Sequence, residues 1–207
     1  MQKSRCYFLL FFLLINFHFV LAQHLEELSF KIDSMVKVDQ RVQEDYLASF
    51  KSANLRIIDS LGQRQKQTFK RNCKVCKDIF DQYSFPGINL VGEVSSFNFW
   101  LLVQHCDHDV VFQQNVLKVM KTEICKGNVD KKNYAFLYDR VMVNLGKKQK
   151  YGTQLVYNSA GKPKLYPIKN ISGIESRRKA MGLDSLEDYL KSHMRFQEHH
   201  SDKDDKN

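Results

Sequence analysis

The sequence predicts a mainly α-helical single domain with one β-hairpin near residues 151–168. Three observations lead there. Apolar residues recur at three- and four-residue steps over most of the chain. Capping residues and glycines bracket the later helical stretches. One stretch, Tyr151 to Ile168, changes to two β-prone runs about a turn.

The opening "MQKSRCYFLLFFLLINFHFVLAQ" has a basic start, Lys3 and Arg5, then an apolar run from Tyr7 to Ala22 and small-residue cleavage chemistry before Gln23. That is the pattern of a secretory signal peptide, residues 1–22. A spanning helix needs about 20 apolar residues. This run is shorter and carries Asn16 and His18, so no transmembrane segment is expected after cleavage. No cysteine follows the cleavage point, which argues against a lipid anchor. The expected location is therefore outside the cytoplasm: periplasm, outer envelope or secreted.

Residues 24 to about 81 read as helix. Leu28, Ile32, Met35, Val42, Tyr46 and Phe50 form one stripe, followed by Ile57, Ile58 and Leu61. A break near Gly62 is expected to split this segment into two antiparallel arms. Asp39 interrupts the stripe, and a carboxylate there must be paired or hydrogen-bonded. "YSFPGINLVGE" is an irregular connector, marked by Pro86-Gly87 and Gly92. The helix beginning near Ser95 has almost no polar face until Gln104 and His105, as a buried helix would.

Asp107 or Asp109 suits the N-cap of a helix over 110–125, and Asp130 caps another ending at Gly146. Tyr134, Leu137, Tyr138, Val141 and Leu145 share one face of the latter, with Asp139 and Arg140 off it. Asn158 to Lys162 is the hairpin's turn. Two short helices follow, with capping boxes expected at Ser172–Glu175 and Asp184–Glu187. The resulting organisation is helical arms over 23–81, a core with the hairpin over 82–195, and a polar, disordered tail over 196–207.

The 207 residues carry 32 basic and 23 acidic side chains, a net charge of +9. Cleavage removes Lys3 and Arg5, which leaves 30 against 23 and a net charge of +7. The excess gathers in "RQKQTFKRNCKVCK", "GKKQK" and "RRK", patches suited to acidic polymers or anionic surfaces, or simply to a solvated face. No aromatic-interleaved basic motif points to nucleic acid.

Four cysteines survive cleavage: Cys73, Cys76, Cys106 and Cys125. They allow three pairings. "CKVC" has redox spacing, and Lys70, Arg71, Lys74 and Lys77 beside it would favour thiolate. It lacks a strand-then-helix context, so a structural disulfide is the expectation. His105, Cys106 and His108 with the Cys73/Cys76 pair match no standard zinc spacing. Nor is there a zincin motif, a nucleophile elbow, a Walker loop or a dinucleotide fingerprint. No metal and no cofactor is predicted.

His105 is the sharpest catalytic candidate, a general base oriented by Asp39 or Asp139. Against it stands an ordinary core histidine at a helix C-terminus, where the dipole favours the charged form.

"FPGINLVGEVSSFNFWLLVQHCDHDVVFQQNVLKVM", "FLYDRVMVNLGKKQKYGTQ" and "ESRRKAMGLDSLEDYL" together resemble a bacterial family of unknown function. Many of its members look like envelope or secreted proteins of Bacteroidetes. The resemblance covers about residues 80–190, with an echo at "DQRVQ". Cys106 stands where the family has a small residue, and Cys73-x-x-Cys76 has no counterpart in it, which weighs against thiol catalysis. The resemblance singles out Gln104, His105, Asp107, Asp109, Gln113, Asp139, Arg140, Gln149, Tyr151, Gly152, Thr153, Gln154, Arg177 and Arg178, and it implies no activity.

Two functions fit these residues. One is a non-enzymatic exported domain that binds an envelope component or a protein partner. The other is a hydrolase- or lyase-like enzyme with a polar pocket formed by the 104–109 corner and the "YGTQ" strand. In the second, His105 is the base, Asp139 (or Asp39) orients it, and Arg140 or Arg177 holds an anionic substrate. Gln104, Asp107, Asp109, Gln113, Tyr151, Thr153, Gln154 and Arg177 are the binding candidates. Convergence of these groups in one concave site favours the enzyme, whereas dispersal over caps and turns favours the binding domain.

Overall fold

In the computed structural model, the described backbone covers residues 2–52, 54–158 and 162–194, with side chains described from Ala22 onward, Ser52 excepted. The expected tail, 196–207, lies outside the described residues. Among the described residues the fold is mainly α with a single two-stranded antiparallel hairpin, as the periodicity predicts. The chain packs as two compact units, Met1–Leu102 and Val103–Asn207. Among the described residues no helix is long and apolar enough to cross a membrane.

In the first unit, helix α1 (Gln2–Ser49) and helix α2 (Leu55–Tyr83) form an antiparallel pair. The turn between them is the 3-10 segment Phe50–Ser52 with Asn54, whose side chain accepts from the amides of Arg56 and Ile57 and so caps α2. The expected break at Gly62 is a correction: Gly62 lies inside α2. A Cβ placed there would sit 2.9 Å from the Tyr46 ring. The glycine therefore serves close approach of the two helices, and the turn is made where a cap exists.

Leu28, Ile32 and Val42 of α1 are buried, as is Ile79 of α2. Asp39, fully buried on that stripe, accepts from Asn72 at 3.0 Å and from Gln40 at 3.1 Å, which meets the expectation that it be hydrogen-bonded. Gln65 bonds Gln43, and Tyr83 bonds His24, further along the same pair.

Cys73 and Cys76 face this interior as thiols, and no disulfide forms among the described residues. Burial pushes the Cys76 thiol well above its ordinary value, with Cys73 and the Asp39 carboxylate adding to it. The free thiols correct the expected structural disulfide. The neighbouring Lys70, Arg71, Lys74 and Lys77, which would favour thiolate, lie on the exposed side of α2, while the two thiols are buried.

Helix α3 (Ile88–Gln104) is interrupted at Gly92, where φ is 79 and ψ 168, so one turn over 88–91 precedes the long segment over 93–104. Phe99, Trp100, Leu102 and Val103 are buried. Phe97, 45% exposed, starts an outward row continued by half-buried Leu101 and His105. His105 is thus half-buried, where full burial was expected, because it belongs to that row.

The second unit contains α4 (Val110–Ile124), α5 (Lys131–Asn144), the hairpin strands β1 (Leu155–Tyr157) and β2 (Pro163–Leu165), α6 (Ile174–Ala180) and α7 over 186–194. Asp109 and Asp130 cap α4 and α5, accepting from the amides of Phe112 and Lys132. Asp139 is fully buried and so not on the outer face expected of it; α5 is covered on more than its apolar side. Leu155 pairs with Leu165 and Tyr157 with Pro163.

The strand is shorter than the β-prone run from Tyr151. Gly152 adopts φ 70, a left-handed turn that no strand contains, and residues 149–154 form a loop instead. The expected capping boxes also move. Ser172 bonds Asn170 and leaves α6 without a side-chain cap, while Glu175 accepts from the Leu186 amide. At α7 the reciprocal pair is Ser185 with Asp188, one residue later than expected, because the Asp184 carbonyl is held by Arg178.

Candidate functional site

Two polar assemblies in the second unit contain most of the residues that the sequence singles out. The first is the "QHCDHD" corner between α3 and α4. The main chain turns through bonds from Cys106 N–H to Val103 and from Asp109 N–H to Cys106. Gln113, fully buried, closes it from α4: its Nε2 donates to the carbonyls of Val103 and Gln104 at 3.0 and 3.2 Å, and to Asp107 Oδ1 at 3.3 Å. Arg140 of α5 grips Asp107 with two parallel bonds of 2.8 and 2.6 Å, and Asn144 adds one of 2.8 Å. Gln104 and Cys106 are buried, His105 half-buried and His108 exposed.

Burial alone would raise the Asp107 carboxyl, but the bonds and charge of Arg140, with Asn144 and Gln113, hold it below its ordinary value. A depressed carboxylate contributes stability above its unfolded value, and that contribution is lost as pH falls through the folded one. Acidification below about pH 4 is therefore expected to weaken the wild type more than Asp107→Asn. The difference should stay under about 1 kcal/mol, because the pair is partly exposed. Urea midpoints of both proteins between pH 3 and 7 check this; parallel curves would remove the pair from the stability of the corner.

The second assembly holds the loop 149–154 between α5 and α6. Asp139 accepts the amides of Lys150 (2.6 Å), Tyr151 (3.0 and 3.1 Å) and Thr153 (3.1 Å), and also the Thr153 hydroxyl. Burial pushes its carboxyl above its ordinary value, and these donors offset only part of that rise. All its partners here are donors, so the loop is built around the ionised form.

Arg178, 1% exposed, takes the opposite side of the same loop. It donates to the carbonyls of Tyr151 and Gly152 at 2.7 and 3.2 Å and to that of Asp184 at 2.7 Å. Arg177 donates to the carbonyls of Lys150, Lys169 and Asn170. Gln149 bridges inside the loop: its Oε1 accepts from the Gln154 amide, and its Nε2 donates to the carbonyls of Gln154 and Tyr166. The Tyr189 hydroxyl of α7 donates to the Thr153 carbonyl.

The expected site residues therefore gather in two groups. Asp107, Gln113 and Arg140 meet at the corner, with Gln104 contributing its carbonyl and Asp109 serving as a cap. Asp139, Tyr151, Thr153, Gln154 and Arg177 meet at the loop. Both arginines expected to hold an anion are occupied, Arg140 by a carboxylate and Arg177 by three carbonyls. Among the described residues no cluster of His, Cys, Asp and Glu could hold a metal. Asn144 and Tyr189 escaped the sequence reading. Each sits in an ordinary amphipathic helix pattern, and only its polar tip could have marked it.

Beside the loop lies an aromatic group with little place in the expectations. The Tyr134 and Tyr138 rings stand 6.0 Å apart, and Tyr138 meets Tyr151 edge-on at 5.8 Å. Lys150 Nζ lies 5.8 Å from the Tyr138 ring centre and 5.1 Å from that of Tyr151. Burial, with the neighbouring phenols and Asp139 adding, pushes Tyr134 and Tyr151 up to about 12. In the first unit an open, mainly apolar groove of about 500 Å³ runs past Phe30, Met35 and Val38, and none of the expected site residues lines it.

The architecture and these assemblies define a mainly helical domain whose second unit fixes one loop by buried charged side chains. A family model matches residues 27–197, and the chain belongs to that family, DUF6624, a family of unknown function. No curated protein and no solved structure matches the chain.

Proposed function

We propose that this chain is an exported, non-enzymatic helical domain that binds an envelope component or a protein partner. The observation that carries the reading is the use made of the polar residues. Asp107, Arg140, Asp139 and Arg177 are held by one another or by main-chain groups, as scaffold residues are. Export is supported by the basic, then apolar, then small-residue opening that ends at Ala22. Lys150, exposed, and the half-buried Tyr134 and Tyr138 beside it, packed on buried Tyr151, form the surface best suited to binding.

The test is expression of the full chain with its own N-terminus in a Gram-negative bacterium, followed by cell fractionation and mass spectrometry. The mature protein is expected to begin at Gln23 and to pellet with isolated envelopes. Retention of Met1 in the cytosol would overturn export. Turnover of an ester, glycoside or uronate substrate that disappears in His105→Gln, with the melting temperature unchanged, would replace this reading with the enzymatic one.

A further inference from the structure

We infer that Lys150, Tyr134 and Tyr138, packed on buried Tyr151, form a binding site for an acidic carbohydrate, a sugar chain bearing carboxylates. The inference rests on the reading of the chain as an envelope-binding domain and names the component. Lys150 is held at both ends of its backbone: its amide donates to Asp139 and its carbonyl accepts from Arg177. Its side chain is exposed and lies across two tyrosine rings. An ammonium on a fixed backbone, resting on aromatic faces, is a preorganised partner for a carboxylate.

The tyrosines supply the rest. Among the described residues the hydroxyls of half-buried Tyr134 and Tyr138 make no hydrogen bond to protein. Burial pushes the Tyr134 phenol above its ordinary value, so it remains a neutral donor for sugar oxygens. The surroundings are basic. The sequence clusters "GKKQK" and "RRK" are joined by the bond from Arg177 to the Lys150 carbonyl, and Lys147 and Lys148 are exposed next to them. Asp139, the nearby acid, is fully buried behind its own donors and presents no carboxylate outward.

A nucleic acid would stack bases on open ring faces. Here Tyr151 is 4% exposed and Lys150 lies over the faces of Tyr138 and Tyr151, so hydroxyls and charge are offered, and stacking is not.

The test titrates the purified full chain by calorimetry with polygalacturonate, with neutral pullulan, with duplex DNA and with phosphatidylglycerol vesicles. Binding to polygalacturonate and not to pullulan is expected. Lys150→Met should weaken it about tenfold, as loss of a charge-assisted bond does, and Tyr138→Phe about threefold, with the ring retained. Lys121→Met, on the exposed end of α4, should change nothing. Polygalacturonate binding untouched by Lys150→Met, or absent, overturns the site. Equal or tighter binding to DNA or to vesicles with the same Lys150 dependence overturns the carbohydrate assignment. Envelope pelleting that persists in Lys150→Met sinks this site alone, whereas failure of the wild type to pellet sinks the broader reading.

Discussion

Asp139→Ala is expected to cost about 3–5 kcal/mol, the range for removing one member of a buried charged network. The substitution strips the amides of Lys150, Tyr151 and Thr153 of their acceptor in a place that water does not reach. It also leaves Arg178, whose charge the Asp139 carboxylate helps to hold, with a poorer environment. Asp139→Asn should recover little, since one of its two carboxylate oxygens becomes a donor facing donors. Urea denaturation of the three proteins measures this. A loss below about 1 kcal/mol in Asp139→Ala would mean that the loop does not depend on the carboxylate.

The second large effect is at Arg178. Arg178→Met should cost about 3 kcal/mol, because three carbonyls lose their donor inside the protein. Arg178→Lys should recover at most part of it: an ammonium cannot reproduce the planar fork or its stacking on Tyr189, whose ring centre lies 5.0 Å from the guanidinium carbon. Asp139 and Arg178 hold Tyr151 by opposite ends of the same residue, the amide and the carbonyl. Once one grip is lost the other has less to hold. The double variant should therefore be destabilised by less than the sum of the singles. Additive losses within about 0.5 kcal/mol would show that the two grips act independently.

The fold was legible where periodicity and caps agree. The long N-terminal helices, the caps at Asp109 and Asp130 and the single hairpin follow from residues that have few other uses. Errors arose where a tertiary contact took over a residue with a local role to play. Gly62 reads as a breaker but serves the approach of Tyr46. Glu175 reads as the second half of a capping box but accepts from Leu186. Tyr151 to Gln154 reads as strand, yet the amides of Tyr151 and Thr153 are drawn to Asp139, and no local pattern reveals an acceptor 12 and 14 residues upstream.

The candidate site was legible as a set of residues and not as an arrangement. The resemblance named Asp107, Gln113, Asp139, Arg140, Thr153 and Arg178 together, and the structure shows why they belong together: each bonds another of the set or the main chain beside it. Lys150 was hidden because a lysine in a basic run looks like solvated surface. Its position over two tyrosine rings depends on the loop, which the sequence read as a strand.

The loop 149–154 is gripped by its peptide groups more than by its side chains. Asp139 needs N–H groups, which any residue but proline supplies, and Arg178 needs carbonyls, which every residue supplies. The identity of residue 150 is consequently decoupled from the stability of the frame that presents it. Exchanging its side chain would change the charge that the loop presents to solvent while the scaffold keeps its shape.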